Sequence, residues 1–396
     1  MYPIESQTFT IIDLLKKIKH IFYITIKRSK KKRLIKKQFS FAKSFLEDGE
    51  YLIDITCNYV FKDDFLTKTI LKKLSGIEPL KAIENKIFRS LIYFFSGLKL
   101  FVKTNNKTKD SFQLNGTFLL MSNKQKGEEN YGGYKIFDFY NKKILTRHVS
   151  QSNYYKNIKN YKTFNSHFRI PSITHYCSAN YVTMEEMVDF IPRNKLKERN
   201  FDKIVDYIFN SYCDYFEMRV KASQYNTAKA ADFLTDYQLN LNSDAVFITN
   251  KLKKYIERNS LNRNIPILLQ HGDLSLSNIL LAKNKKCYII DWEHANSYSF
   301  LYDIMWAWQN EAINRNNYYF LKEYYSGKYD KNLQRIFNIF NLSYDDNLRH
   351  VYLNIVIAEL LYKRIYTQGS TLANWFINER IQPLILKIEN DYLFKI

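Results

Sequence analysis

Three observations predict an α+β fold in two parts for this 396-residue chain. Short apolar runs bounded by turn residues, at 118–122, 134–140 and 143–149, read as β-strands. Over 195–260, and again within 303–389, apolar residues recur at helical spacing. Between these helical stretches lies one block, QHGDLSLSNILLAKNKKCYIIDWEHA at 270–295, whose two apolar runs read as a short strand pair flanked by acidic and amide residues.

Composition sets the outer bounds. Hydrophobic residues make up 46% and aromatic residues 16%, which argues against overall disorder. Glycine and proline are scarce, at 10 and 6, while Lys, Asn, Ile and Tyr abound, a bias expected of an AT-rich genome. The net charge of +21 favours a polyanionic neighbour: a nucleotide, nucleic acid or an anionic membrane face. Cys57, Cys177, Cys213 and Cys287 stand far apart without a C-x-x-C pair, so free thiols in a reducing cytoplasm are expected and a zinc site is not. No apolar h-region with a small-residue cleavage site follows Glu5, and the longest apolar run, 91–102, is too short to span a bilayer. The expected location is therefore cytoplasmic, with peripheral contact to the inner membrane face as an addition that the basic N-terminus would suit.

Taken in order, residues 9–22 place Ile11, Leu14, Leu15, Ile18 and Phe22 on one helical face with Lys16, Lys17 and Lys19 between them. The helix leads into a basic cluster ending at Lys37. Such a segment is either a solvated face packed on the domain, the reading we favour, or a hold on anionic lipid through residues 9–37. Nucleic acid is the weakest partner, since no recognition motif accompanies the charge. Residues 1–112 read as a basic extension, mixed or mainly helical, with 103–110 as a linker. Residues 113–190 form the strand-rich part, in which Gly127, Gly132 and Gly133 belong to a polar turn that is either a phosphate-approaching loop or an ordinary hairpin loop. Residues 191–396 form the helical part.

The 270–295 block carries the chemistry. It contains H-x-D-x-x-x-x-N, with His271, Asp273 and Asn278, and its second apolar run ends in Asp291. A hydroxyl that is to be phosphorylated needs a nearby carboxylate to take its proton, which suits Asp273. An amide oxygen on Asn278 can face a magnesium ion without adding charge beside a triphosphate, and Asp291 supplies a hard anionic oxygen. The strand pair would bring Asn278 and Asp291 to neighbouring ends.

These residues, with Ile290-Asp291-Trp292-Glu293-His294-Ala295 and Asp303 in Phe300-Leu301-Tyr302-Asp303-Ile304, resemble the aminoglycoside phosphotransferase and choline/ethanolamine kinase superfamily. In look the chain is similar to bacterial phosphotransferases associated with cell-envelope assembly. The resemblance covers about 115–395 and implies a two-lobed protein-kinase-like fold, with a small antiparallel-sheet N-lobe and a large, mainly helical C-lobe. It implies ATP or another NTP, Mg2+, and a small-molecule hydroxyl acceptor of the choline, ethanolamine, sugar or aminoglycoside type. By resemblance Asp273 is the catalytic base, Asn278 and Asp291 hold metal, Glu293 lies near the acceptor, and His271 and Asp303 are structural. The phosphate cation falls at Arg147, with Lys143 nearby, where the family carries Lys; the following helix, 153–165, has no acid to pair with it. Backbone groups of Glu186, Met187 and Val188 match the adenine-reading hinge. The alternative is a pseudokinase or scaffold acting through the basic N-terminus, favoured by the two departures at Arg147 and the acid-free helix. The four Trp and many Tyr also offer faces for a quaternary ammonium, with core packing as the stronger explanation for each Trp.

Overall fold

The computed structural model describes residues 39–40, 42–54, 59–62, 100–104, 114, 118–121, 133–229, 233, 241–258, 264–368 and 374–390. The expected basic segment at 9–37, and Gly127 and Gly132 of the polar turn, lie outside them. Two compact units result: Met1–Lys156 with Pro171–Val188 and Pro192–Asn194, and Asn157–Ile170 with Asp189–Ile191 and Lys195–Ile396.

The first unit is built on one sheet. Its strands are β1 (Gly49–Asp54), β2 (Tyr59–Lys62), β3 (Leu100–Thr104), β4 (Phe118–Met121), β5 (Tyr134–Asp138), β6 (Lys143–Arg147), β7 (Ile173–Cys177) and β8 (Val182–Glu186). They run in the order β3-β1-β2-β4-β5-β6-β8-β7, each neighbouring pair antiparallel. The strands expected at 118–149 thus share their sheet with strands at 49–62 and 100–104, in a stretch read from sequence as mixed or mainly helical. Lys103, expected in a linker, lies in β3 opposite Glu50. Alternation along β5 buries Tyr134, Ile136 and Asp138 on one face, where the Tyr134 ring and the Ile136 side chain join Leu145, Val182, Met184, Tyr51 and Phe39 in a core. Asp138 is tolerated there because its carboxylate accepts the amides of Tyr140 and Asn141, closing the β5–β6 turn.

The second unit is mainly helical. The helix α1 (Gln151–Phe164) enters it from Asn157 onward, followed by α2 (Glu198–Lys221), β9 (Asn226–Lys229), α3 (Ser243–Arg258) and β10 (Asn264–Gln270). Then come β11 (Ile279–Leu281), β12 (Cys287–Ile289), β13 (Asn296–Ser299), α4 (Tyr302–Arg315), α5 (Tyr319–Tyr325), α6 (Asp330–Ile339), α7 (Arg349–Gln368) and α8 (Gln382–Asn390). Strands β13, β10 and β9 pair in that order, and β11 pairs with β12.

Helix α2 buries Ile204, Ile208, Tyr212 and Phe216, four residues apart, and fills the stripe with Val205, Phe209 and Cys213. Helix α4 is buried on every side, from Tyr302 to Ile313. A helix buried on nearly every side needs neighbours all round, and α4 carries the buried polar residues Asp303, Gln309 and Glu311 among its apolar ones. A turn of π-helix at Ile377–Ile381 precedes Pro383, whose missing N–H and bulky ring do not fit a regular α-turn. Among the described residues, no helix is long and apolar enough to cross a membrane.

Leu361 on α7 is 0% exposed inside this core. Its replacement by Ala should cost about 2–5 kcal/mol of stability, the sum of lost transfer energy and the cavity left behind. Urea unfolding should show a lower midpoint at an unchanged slope.

Candidate active site

The strand pair expected at 279–290 is present, with Ile279 opposite Ile289. Its pairing continues one step further, because the Ile290 amide donates to the Asn278 carbonyl at 2.9 Å. Asn278 and Asp291 therefore leave the hairpin side by side. Asp291 adopts a left-handed backbone, φ 68° and ψ 53°, that non-glycine residues rarely take. Such strain persists only where the surroundings enforce it, and it is typical of functional turns.

The other arm of the site begins where β10 ends. Gly272 has φ +81°, and a Cβ there would lie 2.5 Å from the His294 carbonyl oxygen and 2.6 Å from the Tyr298 hydroxyl. Only glycine fits, in both conformation and space. Nδ1 of His271 accepts the Asp273 amide at 3.2 Å, which leaves the hydrogen on Nε2. That hydrogen is donated to the Ile290 carbonyl at 2.8 Å, tying the Asp273 loop to the residue before Asp291.

Asp303, at the start of α4, holds the loop from below. Its Oδ2 accepts the His271 amide at 2.6 Å and the Tyr212 hydroxyl at 2.5 Å, and its Oδ1 accepts the Gly272 amide at 2.9 Å. Burial pushes the Asp303 carboxyl upward, and the His271 ring, the Tyr212 hydroxyl and the two amides oppose that push.

The Asp273 carboxylate is fixed at both oxygens. Oδ1 accepts the Trp306 indole N–H at 3.2 Å, and Oδ2 accepts a side-chain N–H of Asn278 at 3.3 Å. The same Asn278 nitrogen donates to the Asp273 carbonyl at 2.8 Å. With its nitrogen committed to Asp273, the Asn278 side chain turns its oxygen to the opposite side. One hard amide oxygen and one carboxylate, Asn278 and Asp291, are donors of the kind that suit Mg2+, which takes few protein ligands and completes its shell with phosphate and water. Glu293 and His294 follow on the surface, 3.4 Å apart, each side chain 55% exposed.

The nucleotide-related residues predicted from sequence all lie in the first unit. Arg147 ends β6 with its guanidinium 5.9 Å from the Tyr134 ring centroid, a cation–π contact. Lys143 stands opposite Asp138 on one side and Glu186 on the other. In the hinge segment, the Glu186 amide donates to Ser172 and the Met187 amide donates to the Lys142 carbonyl at 2.7 Å. The Met187 N–H is thus engaged by the β5–β6 turn.

Several residues that build the site escaped the sequence reading. Trp306 lies one helical turn after Asp303, a spacing that puts both on one face of α4 and could have linked them. Asn160 donates to the Trp292 carbonyl at 2.8 Å, beside Asp291. Gln270 donates to the carbonyls of Tyr298 and Ser299, and the buried Glu359 accepts the amide and hydroxyl of Ser299. Nothing in the identity of Gln270 or Glu359 marks them in advance. Trp292 stacks on Phe164 at 4.2 Å and Trp308 on Tyr329 at 4.9 Å, so both serve the core.

Glu359 generates a pH prediction. Burial lifts its carboxyl from the ordinary 4.5 to about 7, against the Ser299 hydrogen bonds and Lys363. Between those values the folded state holds a proton that the unfolded chain has released. Stability from this group is therefore complete below the unfolded value and is lost as pH rises through about 7. Relative to Glu359→Gln, the wild type should lose on the order of 3 kcal/mol between pH 4.5 and 7 and nothing further above it, in urea melts across pH.

Residues 221–325 match the model of the phosphotransferase enzyme family. No curated protein matches the chain. Among solved structures, it is similar to a choline kinase from Streptococcus pneumoniae, at 10% identity over 66% of this chain and 91% of that one, with a TM-score of 0.39. It is also similar to a choline/ethanolamine kinase family protein from Mesorhizobium loti, at 11% identity over 83% and 97%, TM-score 0.40. An aminoglycoside phosphotransferase from Streptomyces rimosus aligns at 11% identity over 58% and 90%, TM-score 0.31. Over residues 221–325 the chain is thus similar to the phosphotransferase enzyme family, and its described residues form an α+β protein with an antiparallel-sheet unit and a mainly helical unit.

Proposed function

We propose that the protein transfers the terminal phosphoryl group of ATP to a hydroxyl of a small molecule, with Asp273 as the base. The observation that carries this reading is the clamp on Asp273. Trp306 and Asn278 hold its two oxygens, while His271 joins its loop to the strained turn at Asp291. A carboxylate fixed in this way can accept the proton of a hydroxyl as it attacks, without first reorganising. Asn278 and Asp291 would hold Mg2+, which neutralises charge on the phosphates. Phosphoryl transfer asks the protein mainly for position and charge, so these few groups suffice.

The donor falls to residues of the first unit. Lys143 and Arg147 are the cations for the phosphates. In the hinge, Val188 is left as the amide that reads the purine edge, because the Met187 amide is bound to Lys142. Glu293 is assigned to the acceptor, on the strength of its exposure beside the Asp291 turn. For residues 9–37 a peripheral hold on an anionic membrane face, where an envelope-related acceptor would be met, is the second reading after a solvated helix face.

Adding ATP with Mg2+ should raise the melting temperature. Asp273→Ala should cut transfer by roughly 10²–10⁴-fold, a typical share for a positioned base, while keeping nucleotide binding. Full activity in that variant would sink the mechanism. Asp291→Ala should lose the Mg2+-dependent part of nucleotide binding in calorimetry. A melting temperature unmoved by ATP and Mg2+ would favour the scaffold reading, to which the acid-free helix α1 points. For the N-terminus, co-sedimentation with anionic vesicles should fall when residues 1–38 are removed, and equal binding by both forms would reject the membrane role.

A further inference from the structure

The ring of Tyr298 stands at the catalytic loop. Its Cε2 and hydroxyl lie 2.6 Å from where a Cβ on Gly272 would be, so the ring packs directly on the peptide that precedes Asp273. Both of its faces are taken. Tyr302 stacks on one, with centroids 4.2 Å apart and planes 22° from parallel. The Lys363 ammonium stands 4.0 Å from the same centroid, too close to share a face with Tyr302, and so covers the other.

Lys363 is held there by the fold. Its Nζ donates to the Ser297 carbonyl at 2.6 Å, and Glu359, one turn earlier on α7, is anchored to Ser299 of the same strand. The ammonium and the ring thus belong to one assembly of α7 and β13.

We propose that Lys363 determines the acceptor class of the phosphotransferase: it occupies the cation-binding face of Tyr298 beside Asp273 and directs the site to polyol acceptors without a cationic head group. The inference rests on the phosphotransferase reading above and narrows it. A quaternary ammonium is drawn to an aromatic face by the ring quadrupole, and here the protein's own cation fills that position. A second cation brought to this face of Tyr298 would meet the Lys363 ammonium already standing there, and like charges repel. Of the four Trp rings, Trp292 and Trp308 are stacked in the core, Trp306 is buried, and Trp375 already carries the Arg380 guanidinium 5.5 Å from its centroid. Choline, ethanolamine and aminoglycosides are disfavoured on this ground, whereas sugars and other neutral or anionic polyols are not.

The test uses the full chain, γ-labelled ATP with Mg2+, and two acceptor sets: choline, ethanolamine and kanamycin against glucose, glycerol and glycerate. The wild type should label the polyol set only. Lys363→Met, which keeps the length of the side chain and removes its charge, should gain at least tenfold in kcat/KM for choline, through KM, and Lys363→Arg should not. Choline calorimetry on the same proteins should detect binding to Lys363→Met alone. Equal labelling of both sets by the wild type overturns the proposal, as does a Lys363→Met protein that melts like the wild type yet neither binds nor labels choline. If no acceptor is labelled and ATP with Mg2+ leaves the melting temperature unmoved, the phosphotransferase reading fails. The calorimetry then still decides whether Lys363 blocks the ring.

Discussion

The Asp303 carboxylate, wholly out of water, accepts the His271 and Gly272 amides and the Tyr212 hydroxyl. Removing a carboxylate from solvent costs several kcal/mol unless its oxygens are well partnered. Here two of the partners are the backbone of the loop that carries Asp273, so the carboxylate can be buried only if that loop takes one shape. Gly272 makes the shape possible, because its left-handed backbone and bare Cα let His294 and Tyr298 close over the peptide. The position of Asp273 follows from this anchor and from Trp306, which grows out of the same helix one turn later. A single buried carboxylate on α4 thus converts helix packing into the placement of the Asp273 side chain.

A second set of buried polar groups supports the strand beneath. Gln270 donates to the carbonyls of Tyr298 and Ser299, and Glu359 accepts both the amide and the hydroxyl of Ser299. These contacts lock β13 to β10 and to α7, and they set the plane of Tyr298. Networks of this kind are favourable only when every member is satisfied, since a broken one leaves polar atoms in a low-dielectric interior. They fix the platform sharply, which is what a site working by position and charge requires.

Much of the site was legible because its order in sequence is its order in space. The hairpin at 279–290 brings Asn278 beside Asp291 by the simple alternation of Ile279, Leu281, Cys287 and Ile289. The helical spacing over 195–260 and 303–389 likewise produced helices, although β9 interrupts the first stretch. What escaped depends on partners distant in sequence. Strand β13, Asn-Ser-Tyr-Ser, reads as a turn by composition and becomes a strand because β10, Gln270 and Glu359 satisfy its backbone. Strand β3 gains its definition from pairing with β1 across a long stretch of chain, which no local pattern announces, whereas β1 and β2 pair as a local hairpin ending at Asp54 and Tyr59. The left-handed turn at Asp291 has only a weak signal in residue identity, because aspartate enters that region more readily than most side chains yet far less often than glycine.

Helix α1 carries no acid, yet it is not cut off from the chemistry. In a conventional arrangement an acidic side chain on this helix would reach a phosphate-binding cation, and the helix would be coupled to the site by charge. Here the Asn160 amide donates to the Trp292 carbonyl, next to Asp291, and Phe164 stacks on the Trp292 ring at 4.2 Å. The link is a neutral hydrogen bond joined to an aromatic stack, both buried. Such a link does not weaken with ionic strength as an exposed ion pair would, and no titration breaks it.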